Sequence, residues 1–228
     1  MLLLTSPMPR CGRSTVSLPS VTCVALVCVF SSGTARGRDL DFGELRPVES
    51  GHHGYYTVRS DDGGIFLHAD YRVGEPATKE ALVLGDGDKG GRHRLSWRWR
   101  ALVLPAGGND CDPNKTDSAA SVYVAWRSGL RWYGLKYSWS TDARVGSVCD
   151  SRDNPFLRGE TVVLRAGGPL GQWASESIDV EAEFRSHFAG GDPRAEVPEL
   201  IGIAVLTDGD DTKSPASADY TSFVLSRP

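Results

Sequence analysis

The sequence predicts an all-β fold, a two-sheet antiparallel β-sandwich of about nine strands with one short helix near residues 179–189. Three observations carry that prediction. Leu95–Leu104 alternates large apolar and charged side chains residue by residue, which is the period of a half-buried strand. Ser121–Trp126 and Trp132–Trp139 alternate in the same way on either side of Arg127–Arg131, the signature of a hairpin. The other apolar runs are short and punctuated by Gly, Asp, Asn and Pro, and helical period is confined to one place.

The first of these stretches organises the rest. Leu95, Trp97, Trp99 and Ala101 share one face of a strand and Ser96, Arg98 and Arg100 the other. One face therefore buries two indoles while the opposite face carries two guanidinium groups.

At the amino end Val21–Phe30 is an apolar run preceded by Arg10 and Arg13 and followed by small residues ending in Gly33-Thr34-Ala35. These are the three parts of a secretory signal peptide, so residues 1–35 are expected to be a leader and the mature chain to be periplasmic or secreted. The run is too short to span a bilayer comfortably, and no other stretch qualifies, so no transmembrane segment is expected in the mature chain. The leader takes two of the 25 basic residues and none of the 29 acidic ones, leaving a chain more acidic than the formal −4 of the whole. That balance argues against nucleic acid as a partner, which needs a basic footprint.

Residues 36–54 are polar, lack a sustained period and read as an exposed lead-in to a single sandwich domain over 55–228. Tyr55–Arg59 and Ile65–Ala69 flank the turn cluster Ser60–Gly64 and form a first hairpin. Ala81–Leu84 is a short strand, and the flexible turn Gly85–Gly91 delivers the chain into the tryptophan strand. After the loop Pro105–Ser118 comes the second hairpin, and then a strand at Glu160–Arg165 closed by Gly167-Gly168-Pro169. Asp179 can cap a helix in which Val180, Phe184 and Phe188 recur at intervals of four and which Gly190-Gly191 ends. Leu200–Leu206 is apolar throughout, like a strand covered on both faces. The loop Thr207–Pro215 leads to a last strand at Tyr220–Leu225.

Of five cysteines only Cys111 and Cys149 lie beyond the leader. Two cysteines in an oxidising compartment pair as a rule, and both sit beyond the open end of the second hairpin, where antiparallel strands bring their outer ends together. A bridge between them would close a loop of about 39 residues and contribute roughly 4 kcal/mol on the loop-entropy model.

These segments resemble a bacterial family of unknown function, domain-of-unknown-function family 3047. The resemblance rests on Leu95-Ser-Trp-Arg-Trp-Arg100, Val122-Tyr-Val124, Leu135, Tyr137 and Trp139, Phe184-Arg185 with Phe188, and Ile201-Gly-Ile203 leading to Asp208-Gly-Asp-Asp-Thr212 and Tyr220. It covers about Tyr55 to Leu225. It implies an exported jelly-roll domain similar in outline to carbohydrate-binding modules, and it brings no catalytic residues with it. The two cysteines lie outside the pattern.

Two residue sets point to chemistry. Arg98, Arg100, Lys136, Tyr123 and Trp132 could share an exposed sheet face where guanidinium forks and an aromatic platform meet a ligand. Sugars suit such a surface, anionic ones especially, because rings stack on pyranose faces while Arg pairs with carboxylate or sulfate. The competing reading is a solvated face whose charges pair with neighbouring acids. Asp208, Asp210 and Asp211, with Asp219 further on, offer oxygen ligands for a structural calcium ion, and Asp86 and Asp88 form a poorer version. That loop is no EF-hand, since Lys213 stands where the turn needs glycine, and a turn in which Asp and Thr bond the local backbone is the competing reading. No cofactor is otherwise implied.

No nucleophile-and-base motif, zinc set or phosphate loop is present in the sequence. The leading functional expectation is therefore an exported, non-catalytic sandwich that binds a glycan or another envelope component. The alternatives are a polysaccharide-active lyase or hydrolase using residues such as His93 and Tyr123, and a structural protein of the envelope.

Overall fold

The computed structural model describes residues 38–39, 45–47, 54–77, 80–83 and 91–227. The expected leader, most of the lead-in segment, and Asp86 and Asp88 lie outside the described residues. The chain runs through β1 (Arg38–Asp39), β2 (Leu45–Pro47), β3 (Tyr56–Asp61), β4 (Gly64–Tyr71), β5 (Glu80–Val83), β6 (Arg94–Val103), β7 (Ala120–Ser128) and β8 (Arg131–Ser140). It continues through β9 (Val148–Asp153), β10 (Leu157–Ala166), β11 (Ala174–Asp179), α1 (Val180–Phe188), β12 (Glu199–Leu206) and β13 (Ala216–Ser226).

The strands form a two-sheet sandwich. The first sheet runs β11-β6-β13-β4-β3, with β1 paired to the far part of β13; the second runs β2-β5-β12-β7-β8-β10-β9. This is the predicted class, with four short or polar strands that the sequence pattern does not flag: β1, β2, β9 and β11. Segments such as Val148–Asp153 carry little apolar alternation, because an edge strand has less to bury.

Alternation along β6 is realised in full. Leu95, Trp97, Trp99 and Ala101 are buried, with Ser96, Arg98 and Arg100 turned outward. The two indoles meet the inner row of β8, with ring centroids 5.6 Å apart for Trp97 and Tyr137 and 5.9 Å for Trp99 and Trp139. Val122, Val124 and Trp126 of β7 complete the same core. At about 25 cal/mol per Å² of apolar surface withdrawn from water, each buried indole stabilises the sandwich by roughly 2–3 kcal/mol. The Trp99 Nε1–H donates to Glu176 Oε1 at 3.1 Å, so the ring's polar edge is also served.

The β7–β8 hairpin closes more tightly than expected. Ser128 pairs with Arg131, leaving a two-residue turn of Gly129 and Leu130 in which Gly129 takes a φ of 58°, a conformation glycine reaches without steric cost.

Every pairing is antiparallel except that of β8 with β10, which run parallel. Chain order explains the exception. After β8 the chain returns along β9 at the sheet edge, one strand-width away, and β10 then turns back into the gap, antiparallel to β9 and so parallel to β8. β12 also departs from expectation, since Ile201 and Ala204 are only partly covered while Leu200, Ile203, Val205 and Leu206 are buried.

The helix forms where expected. The Asp179 carboxylate accepts from the Ala182 backbone N–H at 3.0 Å, and Gly190 and Gly191 end the helix at positive φ. Phe184 and Phe188 bring its apolar side against Trp126 and Tyr133, closing one end of the core.

Candidate functional site

Because Trp97 and Trp99 point inward, Arg98 and Arg100 stand on the outer face of the first sheet. Register places Arg100 opposite Asp219 of β13, and Ala174 of β11 opposite Trp99, which sets Trp173 beside Arg100 on the same face. The Arg100 guanidinium carbon lies 4.4 Å from the Trp173 ring centroid and 5.3 Å from that of Phe66; Arg98 lies 5.4 Å from Trp173. Phe66 meets Trp173 edge-on at 6.1 Å. Stacked guanidinium and indole groups thus form one continuous surface.

The two arginines differ in freedom. Asp219, 1 % exposed, accepts from Arg100 Nε at 2.6 Å through one oxygen and holds His68 Nδ1 at 2.7 Å through the other. Asp61 adds a longer contact to Arg100 at 3.7 Å. Arg100 is therefore held in place. Arg98 is exposed, and among the described residues it makes the Trp173 contact and no hydrogen bond or ion pair.

The other three residues expected on this face belong to the second sheet. Tyr123, Trp132 and Lys136 lie on β7 and β8 and face outward on the opposite side of the sandwich. Equal alternation in β6 and β8 gave no sign of which sheet each would join. Lys136 is also no surface cation. Its side chain is 9 % exposed, with Nζ 2.7 Å from Asp110 Oδ1 and 3.1 Å from the Thr116 carbonyl. Burial opposes its charge, yet the Asp110 carboxylate, helped by Tyr123 and Asp208, more than offsets this and holds the ammonium well above its ordinary pKa. Burial likewise pushes the Tyr123 phenol up to about 12, against the pull of Lys136. Trp132 is exposed, with Arg127 5.3 Å from its ring.

Two loops cover this second outer face around Lys136. Asp117, Asp208 and Asp210 each bring one carboxylate oxygen within 4.8 Å of the others. Asp117 was not singled out by the sequence, and Asp211 turns elsewhere: its carboxylate accepts from the Thr116 N–H and hydroxyl at 3.1 and 2.7 Å. Asp219 is not part of this loop cluster but sits on the first sheet. Asp117 accepts from the backbone of Asp211 and Thr212 at 3.2 and 2.6 Å, which pins the acidic loop. Asp208 accepts from Ser118 N at 3.1 Å; burial, with Asp117 and Asp110 adding to it against Lys136 and Ser118, raises its pKa to about 7. The three oxygens have the donor chemistry calcium uses, and the loop is already held by backbone donors and by the Lys136 charge.

Two buried or part-buried histidines are paired with carboxylates. His93 is 3 % exposed and lies 3.1 Å from Glu181. His187 of α1 lies 2.8 Å from Glu160 of β10 and 3.6 Å from Glu183, whose Oε2 accepts from the Tyr137 hydroxyl at 2.9 Å. Arg158 reaches the carbonyls of His187 and Phe188, so this cluster fastens the helix to the second sheet. Cys111 and Cys149 form a disulfide with Cα atoms 5.4 Å apart, as the hairpin geometry predicts.

Sequence reasoning missed Trp173, Phe66, Asp110 and Asp117. Trp173 sits in the polar run Gly171-Gln-Trp, with no alternation to assign its face. Phe66 was placed on a strand, but only strand pairing reveals which outward row it joins.

Comparison with known proteins adds the following. Among solved structures, a family 11 carbohydrate-binding module of a cellulosomal cellulase of Clostridium thermocellum superposes with a TM-score of 0.44 at 12 % identity, covering 85 % of this chain and 96 % of that one. The xyloglucanase domain of NopAA, a type three effector from Sinorhizobium fredii, gives 0.44 at 9 % identity, covering 84 % and 98 %. Endoglucanase 3 of Trichoderma harzianum, from family GH12, gives 0.40 at 11 %, covering 75 % and 81 %. No residue role is carried over from such distant likenesses. No curated protein matches. The model of the family described as "Protein of unknown function (DUF3047)" matches residues 48–224, most of the chain, and the protein belongs to that family.

Proposed function

We propose that this protein is an exported, non-catalytic sandwich that binds an acidic glycan on the outer face of its first sheet. The observation that carries the reading is Arg98: an exposed guanidinium laid against Trp173, with no protein hydrogen bond or ion pair among the described residues. Arg100, fixed by Asp219 and stacked on Trp173 and Phe66, would give a second, pre-positioned cation. A uronate or sulfate pairs with the fork of Arg98 while a pyranose ring lies along the aromatic surface. Export is supported by the tripartite amino terminus and by the disulfide. Among the described residues no helix is long and apolar enough to cross a membrane.

The enzymatic alternative is less supported. His93 and Tyr123, the residues it would use, are turned into the protein, with His93 Nδ1 against Glu181 and the Tyr123 phenol beside Lys136.

Calorimetry against uronate-containing, sulfated and neutral oligosaccharides tests the proposal. Binding to an acidic member of the set is expected, weakened by about tenfold in Arg98→Ala, the loss of roughly one charge-assisted contact, and by more in Trp173→Ala. Failure of every ligand, or binding untouched by both substitutions in a folded protein, would overturn it.

A further inference from the structure

His68 belongs to the outer face of the first sheet and has no part in the proposal above. Register sets it on β4 opposite Asp219 of β13, which stands opposite Arg100 of β6, so the three form one row across the sheet. The exposed Thr57 of β3, the edge strand, ends that row. Asp219 divides its oxygens between its neighbours, Oδ2 to Arg100 Nε at 2.6 Å and Oδ1 to His68 Nδ1 at 2.7 Å. Arg100 in turn is stacked on Trp173, against which Arg98 lies, so His68 is joined to the glycan face through a single carboxylate.

The free side of the ring is what distinguishes this histidine. A carboxylate oxygen accepts, so in the neutral imidazole Nδ1 carries the hydrogen and Nε2 is left with a lone pair. That lone pair has no partner among the described residues. The other described histidines differ: both nitrogens of His187 face carboxylates, at 2.8 and 3.6 Å, and His93 Nε2 is sealed in the core. The His68 side chain is 10 % exposed, and its Nε2 is not among the sealed atoms. So narrow an opening admits a hydroxyl group but not a ring lying flat.

We infer that His68 Nε2 accepts a hydrogen bond from a hydroxyl of the bound glycan and so selects hydroxylated sugar acids over bare anions. The inference rests on the reading of this face as an acidic-glycan surface. Arg98 by itself takes any carboxylate or sulfate within reach, because a charge-assisted pair asks only for negative oxygen. An imidazole lone pair asks for the opposite: it repels an anionic oxygen and needs an O–H. A largely buried acceptor that a ligand desolvates and leaves unpaired also costs free energy, which turns a missing hydroxyl into discrimination.

Calorimetry on the full chain separates this inference from the reading beneath it. The probes are galacturonate and mannuronate trisaccharides, a hyaluronan tetrasaccharide and, as the bare anion, tricarballylate, a tricarboxylate without hydroxyls. At least one sugar is expected to bind about tenfold more tightly than tricarballylate. His68→Asn sets an amide N–H where Nδ1 stands, keeping the donor to Asp219, and removes Nε2. It should weaken that sugar by about tenfold and leave tricarballylate unchanged, whereas Arg98→Ala weakens both. If the variant does not fold, the imidazole nitrogen resonances of the wild type decide: Nε2 should shift when the sugar is added and stay in place with tricarballylate. Failure of every sugar overturns the glycan reading and this inference together. Equal affinity for tricarballylate, sugar binding weakened by Arg98→Ala but untouched by His68→Asn, or an unmoved Nε2 resonance overturns the inference alone.

Discussion

The outer faces of the two sheets start from the same sequence pattern and end in opposite states. Arg98 and Arg100 on β6, and Lys136 on β8, are each a cation set between inward apolar residues, at least one of them aromatic. On the first sheet the cations stay at the surface, stacked on Trp173. On the second, the loops around Asp110 and Asp208 close over Lys136 and convert it into the counter-ion of a buried acidic cluster. Alternation fixes which way a side chain faces. What lies above that face is set by loops distant in sequence.

The sharpest way to break the comparison is to remove the cation from each face in turn. Lys136→Met leaves Asp110, whose side chain is 1 % exposed, without its charge partner. A loss of about 3–5 kcal/mol in urea unfolding is expected, the usual cost of orphaning a buried charge. Arg98→Ala should change the same measurement by less than about 0.5 kcal/mol, because its guanidinium is solvated in the folded protein. Similar losses for the two substitutions would mean that both faces are covered, or that neither is.

A second, smaller effect separates the faces by pH. The Asp208 pKa is raised from 3.8 to about 7, so the folded protein holds a proton there that the unfolded chain releases. Stability on this account is greatest below about pH 4 and falls as pH rises towards 7, by on the order of 2–4 kcal/mol in all. Asp208→Asn, which keeps the acceptor for Ser118 N–H, should flatten that part of the curve. An unchanged slope between pH 4 and 7 would show that the cluster is wetter than the structure has it.

The smallest expected effect has the same sign of shift, but here the protonated form is the charged one. The His187 pKa is raised above 6.5, first by the nearby Glu183 carboxylate and then by Glu160, while burial opposes them. Its contribution is complete below pH 6.5 and is lost as pH rises through the higher folded value. Arg158 of β10 is the nearby cation, reaching Glu160 at 3.4 Å. His187→Gln should therefore cost about 1–2 kcal/mol at pH 6 and little at pH 9, read by thermal unfolding at the two values. An equal cost at both pH values would assign His187 a packing role only.

The extent to which all this could be read in advance depended on how local each signal was. The β6 face, the β7–β8 hairpin, the capped helix and the disulfide each rest on contacts along or beside one stretch of chain, and each was legible. Membership of a sheet was not: Arg98 and Lys136 looked like members of one surface, and only the pairing of β6 with β11 and β13, and of β8 with β7 and β10, separates them. The parallel β8–β10 pair was hidden for the same reason, since strand direction follows the path of β9 and not the composition of β10. In the acidic loop the residue type was informative but the partners were not, because Asp117 lies more than ninety positions from the backbone groups it holds.

The Cys111–Cys149 bridge gives the hairpin a further property. It encloses β7, β8 and the Gly129-Leu130 turn in one covalent ring, so a peptide bond hydrolysed at that turn would separate no fragment. A chain nicked at this exposed turn would remain a single molecule, with both halves of the severed turn still tied at the opposite end of the strands.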